Sequence, residues 1–191
     1  MDALNHKIIL GSQSPRRKQL LEQAGFSFEI RTNPIDESFP DNMPVEAVAQ
    51  YLAEQKAEAA KHLLENEDEI LLTADSVVIL KGKIYGKPEN PEDAKRIIRE
   101  LSGETHEVVT GVCLLSKDKK KSFSGSSKVI MKQLTEEEID FYIENYKPFD
   151  KAGSYGIQEW IGLCKISRIE GTYANIMGLP VDLVYQHLQD F

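Results

Sequence analysis

The chain has 191 residues, with 23 Lys plus Arg against 31 Asp plus Glu, and a formal net charge of −8 at pH 7. Hydrophobic residues at 41% and charged residues at 28% are ordinary for a folded globular protein and exclude disorder as a whole-chain description. The acidic balance argues against a broad nucleic-acid or membrane-surface footprint, while leaving room for a local basic pocket that takes a small anion.

In chain order, Lys7-Ile-Ile-Leu-Gly11 reads as a short buried strand, and Ser14 to Gly25 as a helix stopped by its glycine. Phe26 to Arg31 is strand-like. Thr32 to Met43, with Pro34, Asp36, Glu37 and Pro40, is a loop. Pro44 to Leu64 is a long helix whose inner face is expected at Val45, Val48, Ala49, Leu52, Gln55, Ala59 and Leu63. Ile70 to Leu80 reads as two apolar strand runs flanking Thr73-Ala-Asp-Ser76, and Pro91 to Leu101 as a helix. Thr105 to Leu115 and Ser122 to Met131 are strands on either side of a basic hairpin tip, Lys117-Asp-Lys-Lys-Lys121, whose plain reading is a solvated turn. Thr135 to Asn145 is a helix with a Thr135–Glu138 capping box. Phe149 to Trp160 is Gly-rich and irregular, Leu163 to Ile169 a strand, and Pro180 to Leu188 a closing helix. Alternating helices and strands with one antiparallel hairpin make a mixed α/β class, a β-sheet flanked by helices. Folding a chain of this size removes roughly 70% of its unfolded surface, so one domain over residues 1–191 is expected, with room for two lobes around a cleft.

Several chemistries lack their signatures. No apolar run approaches the ~20 residues needed to span a bilayer, and residues 1–11 show no signal-peptide pattern. Cys113 and Cys164, both in apolar strand-like surroundings, read as reduced thiols in a cytoplasmic protein. The four histidines show no zinc-site spacing, and neither Gly-x-Gly-x-x-Gly nor a Walker-type Gly-Lys-Ser/Thr occurs.

Other residues do carry chemical signals. In Ser12-Gln-Ser-Pro-Arg-Arg17, Ser14 is a good N-cap and Pro15 a good first helical residue. Arg16 and Arg17 then fall in a first turn whose dipole favours acids, a local cost of up to ~1 kcal/mol each. The chain contains its own contrast: Asn90-Pro-Glu-Asp93 makes the same start with two acids. An anion held by free amides, serine hydroxyls and both guanidinium groups would remove the conflict, and pairing with surface acids is the plainer alternative. Asp75, amid apolar neighbours, is expected at a strand end or bend. It could be a general base for water, a Mg²⁺ ligand, or a simple turn aspartate. Gly86-Lys87-Pro88 offers a phosphate point charge but is weak alone. Lys56 lies in an exposed-looking stretch of helix, where a solvated lysine is the favoured reading. Asp36 and Glu37 could hold a divalent cation, although a solvated loop is the better local reading. Asp150-Lys-Ala-Gly-Ser-Tyr-Gly-Ile-Gln158 permits close backbone approach to a ligand, with Gln158 able to read a base edge, against the alternative of an ordinary mobile loop.

These segments occur in a telling order. Ser12 to Arg17, Thr73-Ala-Asp-Ser-Val-Val78, Gly86-Lys-Pro88, Leu101-Ser-Gly103, Asp150 to Gln158 and Gly171-Thr-Tyr…Met177-Gly-Leu-Pro180 together resemble the Maf (septum formation inhibitor) family from about residue 7 to 190. The resemblance implies a nucleoside triphosphate pyrophosphatase with an inosine triphosphatase-like α/β fold and a deep cleft, dependent on Mg²⁺ or Mn²⁺ and often homodimeric. Asp150-Lys151 and Tyr155 to Gln158 look like the branch that prefers dTTP and UTP rather than 7-methyl-GTP. Position by position, it implies Asp75 as proton acceptor with Lys56 and Lys87 as catalytic cations. It implies Ser12, Ser14, Arg16, Arg17, Ser76 and Gln158 as substrate-binding and specificity residues, and Asp75 and Glu37 as metal carboxylates. Ser76 stands where threonine is more usual. Glu159-Trp160 follows Gln158 where glycine is more usual, with packing the favoured role for Trp160. A non-catalytic nucleotide-binding regulator of cell division is the alternative of a different class.

Overall fold

A computed structural model describes residues 2–191, and Met1 lies outside them. After a 3-10 turn (Asp2–Asn5) the chain forms β1 (Lys7–Leu10), α1 (Pro15–Gln23), β2 (Phe28–Ile30) and α2 (Val45–Ala60), the last running into a 3-10 turn (Lys61–Leu63). There follow β3 (Glu69–Leu80), β4 (Lys83–Tyr85), α3 (Pro91–Leu101), β5 (Thr105–Leu115), β6 (Lys120–Met131) and α4 (Glu136–Tyr146). A 3-10 turn (Ala152–Ser154), α5 (Trp160–Cys164), β7 (Ile166–Glu170), α6 (Tyr173–Met177) and α7 (Val181–Gln189) complete it. Among the described residues the strands form one seven-stranded sheet in the order β2-β1-β3-β5-β6-β7, with β4 paired to β3. It is mixed: β1 is parallel to β2 and β3, while β4 and β7 are antiparallel to their neighbours. The α/β class is therefore as expected. No described helix is long and apolar enough to cross a membrane.

The chain divides into two compact units, one holding residues through Asp75 with Thr110–Gly125 and Gly178–Phe191, the other Ser76–Val109 with Ser126–Met177. In the first unit, α2 lies very close to the sheet. Its buried residues are Val48, Ala49, Leu52, Ala53, Ala57 and Ala60, and three of these alanines pack with Ile9, Leu71, Cys113 and Leu115. This inner face differs from the expected one: Gln55 is exposed, and the alanines take the buried positions. Gly111 on β5 completes the fit, because a Cβ there would lie 2.3 Å from the Gln50 Cα and backbone nitrogen.

A second anchor of this unit is Glu69, fully buried at the start of β3. Its carboxylate accepts from Arg31 (3.0 Å), the Asn66 amide (2.8 Å) and the Glu65 backbone N–H (2.7 Å), and lies 3.1 Å from the Lys7 ammonium. Burial alone would raise its pKa, but these donors together outweigh burial and hold it well below the usual carboxylate value.

In the second unit, α3 is capped by Asn90 accepting from the Asp93 N–H at 2.9 Å, and α4 starts with the expected Thr135–Glu138 capping box. The buried Asn175 on α6 donates to the Val108 carbonyl (3.0 Å) and the Ser127 hydroxyl (2.9 Å).

Three expectations are corrected. The segment expected as two runs around Asp75 is one unbroken 12-residue strand, β3; Thr73, Ala74 and Ser76 include no Gly, Pro or Asn to turn it. The strand expected from Leu163 begins only at Ile166. Local bonds from the Leu163 N–H to Glu159 (3.0 Å) and from the Lys165 N–H to Ile161 (2.8 Å) wind the preceding residues into α5. Cys164 is consequently exposed at a helix end rather than in a strand, while Cys113 is buried in β5. The helix α6 and the strand β4 were not anticipated.

Two outcomes test this packing. Gly111→Ala should destabilise the fold by about 3 kcal/mol, the upper end for overpacking, because the clash is with helix backbone rather than a movable side chain; the urea midpoint measures it. Glu69 has its folded pKa below its unfolded one, so its stabilisation is complete above the unfolded value and fades as pH falls through the folded one. Glu69→Gln should therefore lose stability at pH 7 and flatten the acid limb of a melting-temperature profile below about pH 4.5.

Candidate active site

The first unit assembles a charged cluster on one face of β3. Thr73 and Asp75 are two residues apart on the strand, so their side chains leave by the same face. Ala53 and Lys56 are three apart on α2 and share a helix face. The fully buried Thr73 hydroxyl donates to the Ala53 carbonyl at 2.7 Å. That bond sets the strand against the helix, and the neighbouring pair meets: the Lys56 ammonium donates to Asp75 Oδ1 at 2.5 Å. The loop between β2 and α2 brings Glu37 to the same ammonium, with Oε1 at 2.7 Å. Asp75 is buried, and Lys56 is only 16% exposed at its side chain.

Two expectations change here. Lys56 is not a solvated surface lysine, because it bridges two carboxylates. Asp75 is not at a bend; it sits within a continuous strand, made tolerable by the cation beside it. The length of the β-compatible run from Ile70 to Leu80 was the sequence signal for this placement.

The start of α1 lies in the same unit. Arg17 Nε donates to the Gly178 carbonyl at 2.8 Å, and its Nη1 donates to the Ser12 hydroxyl at 3.2 Å. Burial pulls the Arg17 pKa below its usual value, the Asp75 and Glu37 charges oppose that, and Arg16 adds to it. The Asp75 and Glu37 charges thus act on Arg17. Ser14 occupies the N-cap position with extended backbone, but its side chain makes no cap hydrogen bond. The Ser12 hydroxyl instead accepts from the Ser14 N–H at 3.2 Å, a local turn that leads into the helix. The first turn of α1 contains no acid, whereas that of α3 contains Glu92 and Asp93. The electrostatic contrast read from the sequence holds in the structure.

Glu37 and Asp75 converge on one point, since a single ammonium reaches both. Two carboxylates suit a hard divalent cation such as Mg²⁺, which keeps several waters and takes further oxygens from substrate phosphates. The described residues hold no group of three or more His, Cys, Asp or Glu fit to cage a metal alone.

The remaining predicted residues belong to the second unit. Strand alternation turns Ser76 to the face opposite its neighbour Asp75. Lys87 is exposed in the loop after β4. That loop is tied to the segment before Gln158, because the Gly153 N–H donates to the Gly86 carbonyl at 3.1 Å. Gln158 is part-buried, and its Oε1 is fully buried with no hydrogen-bond partner among the described residues. Glu159 and Trp160 are turned to packing and pairing. The Glu159 carboxylate accepts from the Tyr142 hydroxyl and pairs with Lys151 at 3.1 Å, and Trp160 packs edge-on against Phe141 with ring centroids 5.4 Å apart. The Tyr142–Glu159–Lys151 contacts escaped sequence reasoning; the unusual acid after Gln158 was their only trace.

The chain has clear relatives among known proteins. The chain is 52% identical over 189 residues to a dTTP/UTP pyrophosphatase of Porphyromonas gingivalis, covering 97% of this chain and 94% of the relative. It is 48% identical over 185 residues to a protein of the same name from Phocaeicola vulgatus, covering 96% and 95%. Among solved structures, the Staphylococcus aureus Ham1 protein matches with a TM-score of 0.48 at 15% identity, over 65% of this chain and 71% of that one. The family description that matches the chain is Maf-like protein, over residues 7–191. With the ordered motifs lying on the strand, helix and loops described above, the chain belongs to the Maf family.

Proposed function

We propose that the protein hydrolyses pyrimidine nucleoside triphosphates, dTTP and UTP, to the monophosphate and pyrophosphate. The observation that carries this reading is the meeting of Lys56, Asp75 and Glu37 beside an arginine-bearing helix start. A carboxylate among cations is what water attack on a polyphosphate needs, and relatives named dTTP/UTP pyrophosphatase support the same substrate class.

In the proposed reaction, Arg16, Arg17 and the Ser12 and Ser14 hydroxyls hold phosphate oxygens at the start of α1. Lys56 adds positive charge beside Asp75, and the family resemblance assigns Lys87 the role of a catalytic cation. Asp75 orients a water and accepts its proton as the oxygen attacks the α-phosphorus in line. The α–β anhydride bond breaks, and pyrophosphate carries away the bonding electron pair. Asp75 and Glu37 would hold Mg²⁺ or Mn²⁺, which supplies charge neutralisation on the phosphate oxygens when bound. The chain's own contribution is positioning and fixed charge.

Base choice falls to Gln158. A buried amide oxygen lacking a donor suits the N3–H of uracil or thymine. Cytosine presents an acceptor at N3 and would leave that oxygen unpaired, the kind of mismatch that discriminates strongly. Ser76 is assigned to specificity by the family resemblance. A homodimer and a cytoplasmic setting belong to the same reading, and two free cysteines fit a reducing compartment.

Product analysis tests the reaction. UTP or dTTP with Mg²⁺ or Mn²⁺ should give the monophosphate and pyrophosphate by ³¹P NMR. Release of orthophosphate would place cleavage elsewhere, preference for 7-methyl-GTP would overturn the base assignment, and binding without turnover would favour a regulator. Asp75→Asn should lower kcat by at least about 10³-fold, since it removes the proton acceptor, while leaving the far-UV circular dichroism unchanged. Retention of most activity would remove Asp75 from that role.

A further inference from the structure

The segment before and after Gln158 is held by contacts that the proposed chemistry does not use. The Tyr142 hydroxyl, fully buried on α4, accepts from the Gly156 N–H at 2.9 Å and donates to the Glu159 carboxylate. The Glu159 N–H donates to the Gly156 carbonyl at 3.1 Å, closing a turn over residues 156–159. The Lys151 ammonium, 10% exposed at its side chain, lies 3.1 Å from Glu159 Oε1 and 2.8 Å from Asp150 Oδ1. The packing is tight: a Cβ on Gly156 would lie 2.8 Å from the Glu159 carboxyl carbon and 3.1 Å from Gln158 Nε2. Tyr142 itself is fixed by stacking on Tyr146, with centroids 5.0 Å apart and planes at 18°.

Gln158 therefore has an anchored residue two positions before it and another immediately after it, both tied to one tyrosine. We infer that Glu159 is a positioning residue for base selection: its bonds to Tyr142 and Lys151 fix the turn that presents the Gln158 amide. This rests on the reading of Gln158 as the base reader. Burial, followed by the bond to Glu159, raises the Tyr142 hydroxyl above its ordinary pKa, so it stays a donor throughout the working range. The amide then meets its ligand already oriented, and the ordering that would otherwise weaken binding takes place during folding. The acid at 159 accepts from a tyrosine and pairs with a lysine, which explains why this chain tolerates it beside a base site.

The test is steady-state kinetics with UTP and CTP, read as the ratio of their kcat/KM values. Gln158→Ala should lower that ratio by about tenfold or more. Glu159→Ala should lower it comparably through the KM for UTP, with kcat held within ~3-fold. Glu159→Gln, which keeps an acceptor for Tyr142, should recover much of the ratio, and Tyr142→Phe should lower it without opening a cavity. Adding Glu159→Ala to Gln158→Ala should leave the ratio where Gln158→Ala put it, since both act through one amide. A purely structural role would lower the melting temperature and leave the ratio intact; that result, or effects that multiply in the double variant, overturns the positioning role while sparing the base reader. If Gln158→Ala itself leaves the ratio unchanged, the base-reader reading falls and the positioning role with it. Should Glu159→Ala fail to fold, Glu159→Gln and Tyr142→Phe decide between the same outcomes.

Discussion

The first unit depends on how closely α2 approaches the sheet. A helix usually rides on bulky side chains, but here Ala49, Ala53, Ala57 and Ala60 line its inner face, and Gly111 removes the last Cβ beneath it. The closeness costs apolar volume, because an alanine buries less surface than a leucine. It gains a direct bond from a strand side chain, Thr73, to the helix carbonyl of Ala53. With that bond in place, a lysine one turn along the helix meets an aspartate one pleat along the strand. Larger residues on α2 would lift Lys56 off Asp75 and leave a buried carboxylate unsupported.

The same geometry explains why the cluster is charged at all. A lone buried carboxylate is expensive, and removing one member of a buried ion pair is worse than never having the pair. Lys56 answers Asp75 from the helix, and Glu37 answers Lys56 from a loop that is more exposed. The cluster thus keeps two acids and a base at one point. In the proposed reaction the cluster would exchange partners, the carboxylates turning to a divalent cation and the lysine to a phosphate. Arg17 follows a similar logic, donating to a carbonyl and a hydroxyl while the acids of the cluster act on it through space.

In the second unit the organising device is different. Hydrogen bonds there join loops rather than a helix to a strand. The Gly86–Gly153 bond links the loop bearing Lys87 to the segment bearing Gln158, and Tyr142 fixes that segment's far end. Loops generally carry specificity and supply it only when a rigid element holds them. Here α4 is that element, and its capping box and stacked tyrosines make it a firm support.

What the sequence determined by itself lies in features that act over a few residues. The starts of α3 and α4 followed from Asn90-Pro91 and from Thr135 with Glu138, because a cap needs only the next three residues. The anomaly of Arg16 and Arg17 was likewise legible, since the helix dipole is a property of the helix alone. The family motifs named candidate residues without saying which of them meet. The tertiary structure decided the rest. Lys56 looked solvated because nothing near it in sequence is its partner; Asp75 lies 19 positions away and is reached only once α2 settles on β3. The run around Asp75 looked broken because an acid amid apolar residues reads as a turn, until a distant cation makes its burial tolerable. Trp160 to Cys164 carried enough apolar residues for either a strand or a helix, and the bonds to Glu159 and Ile161 chose the helix. Local propensity fixes where elements begin. Which buried charge faces which is set by packing between elements, and no short stretch of sequence contains it.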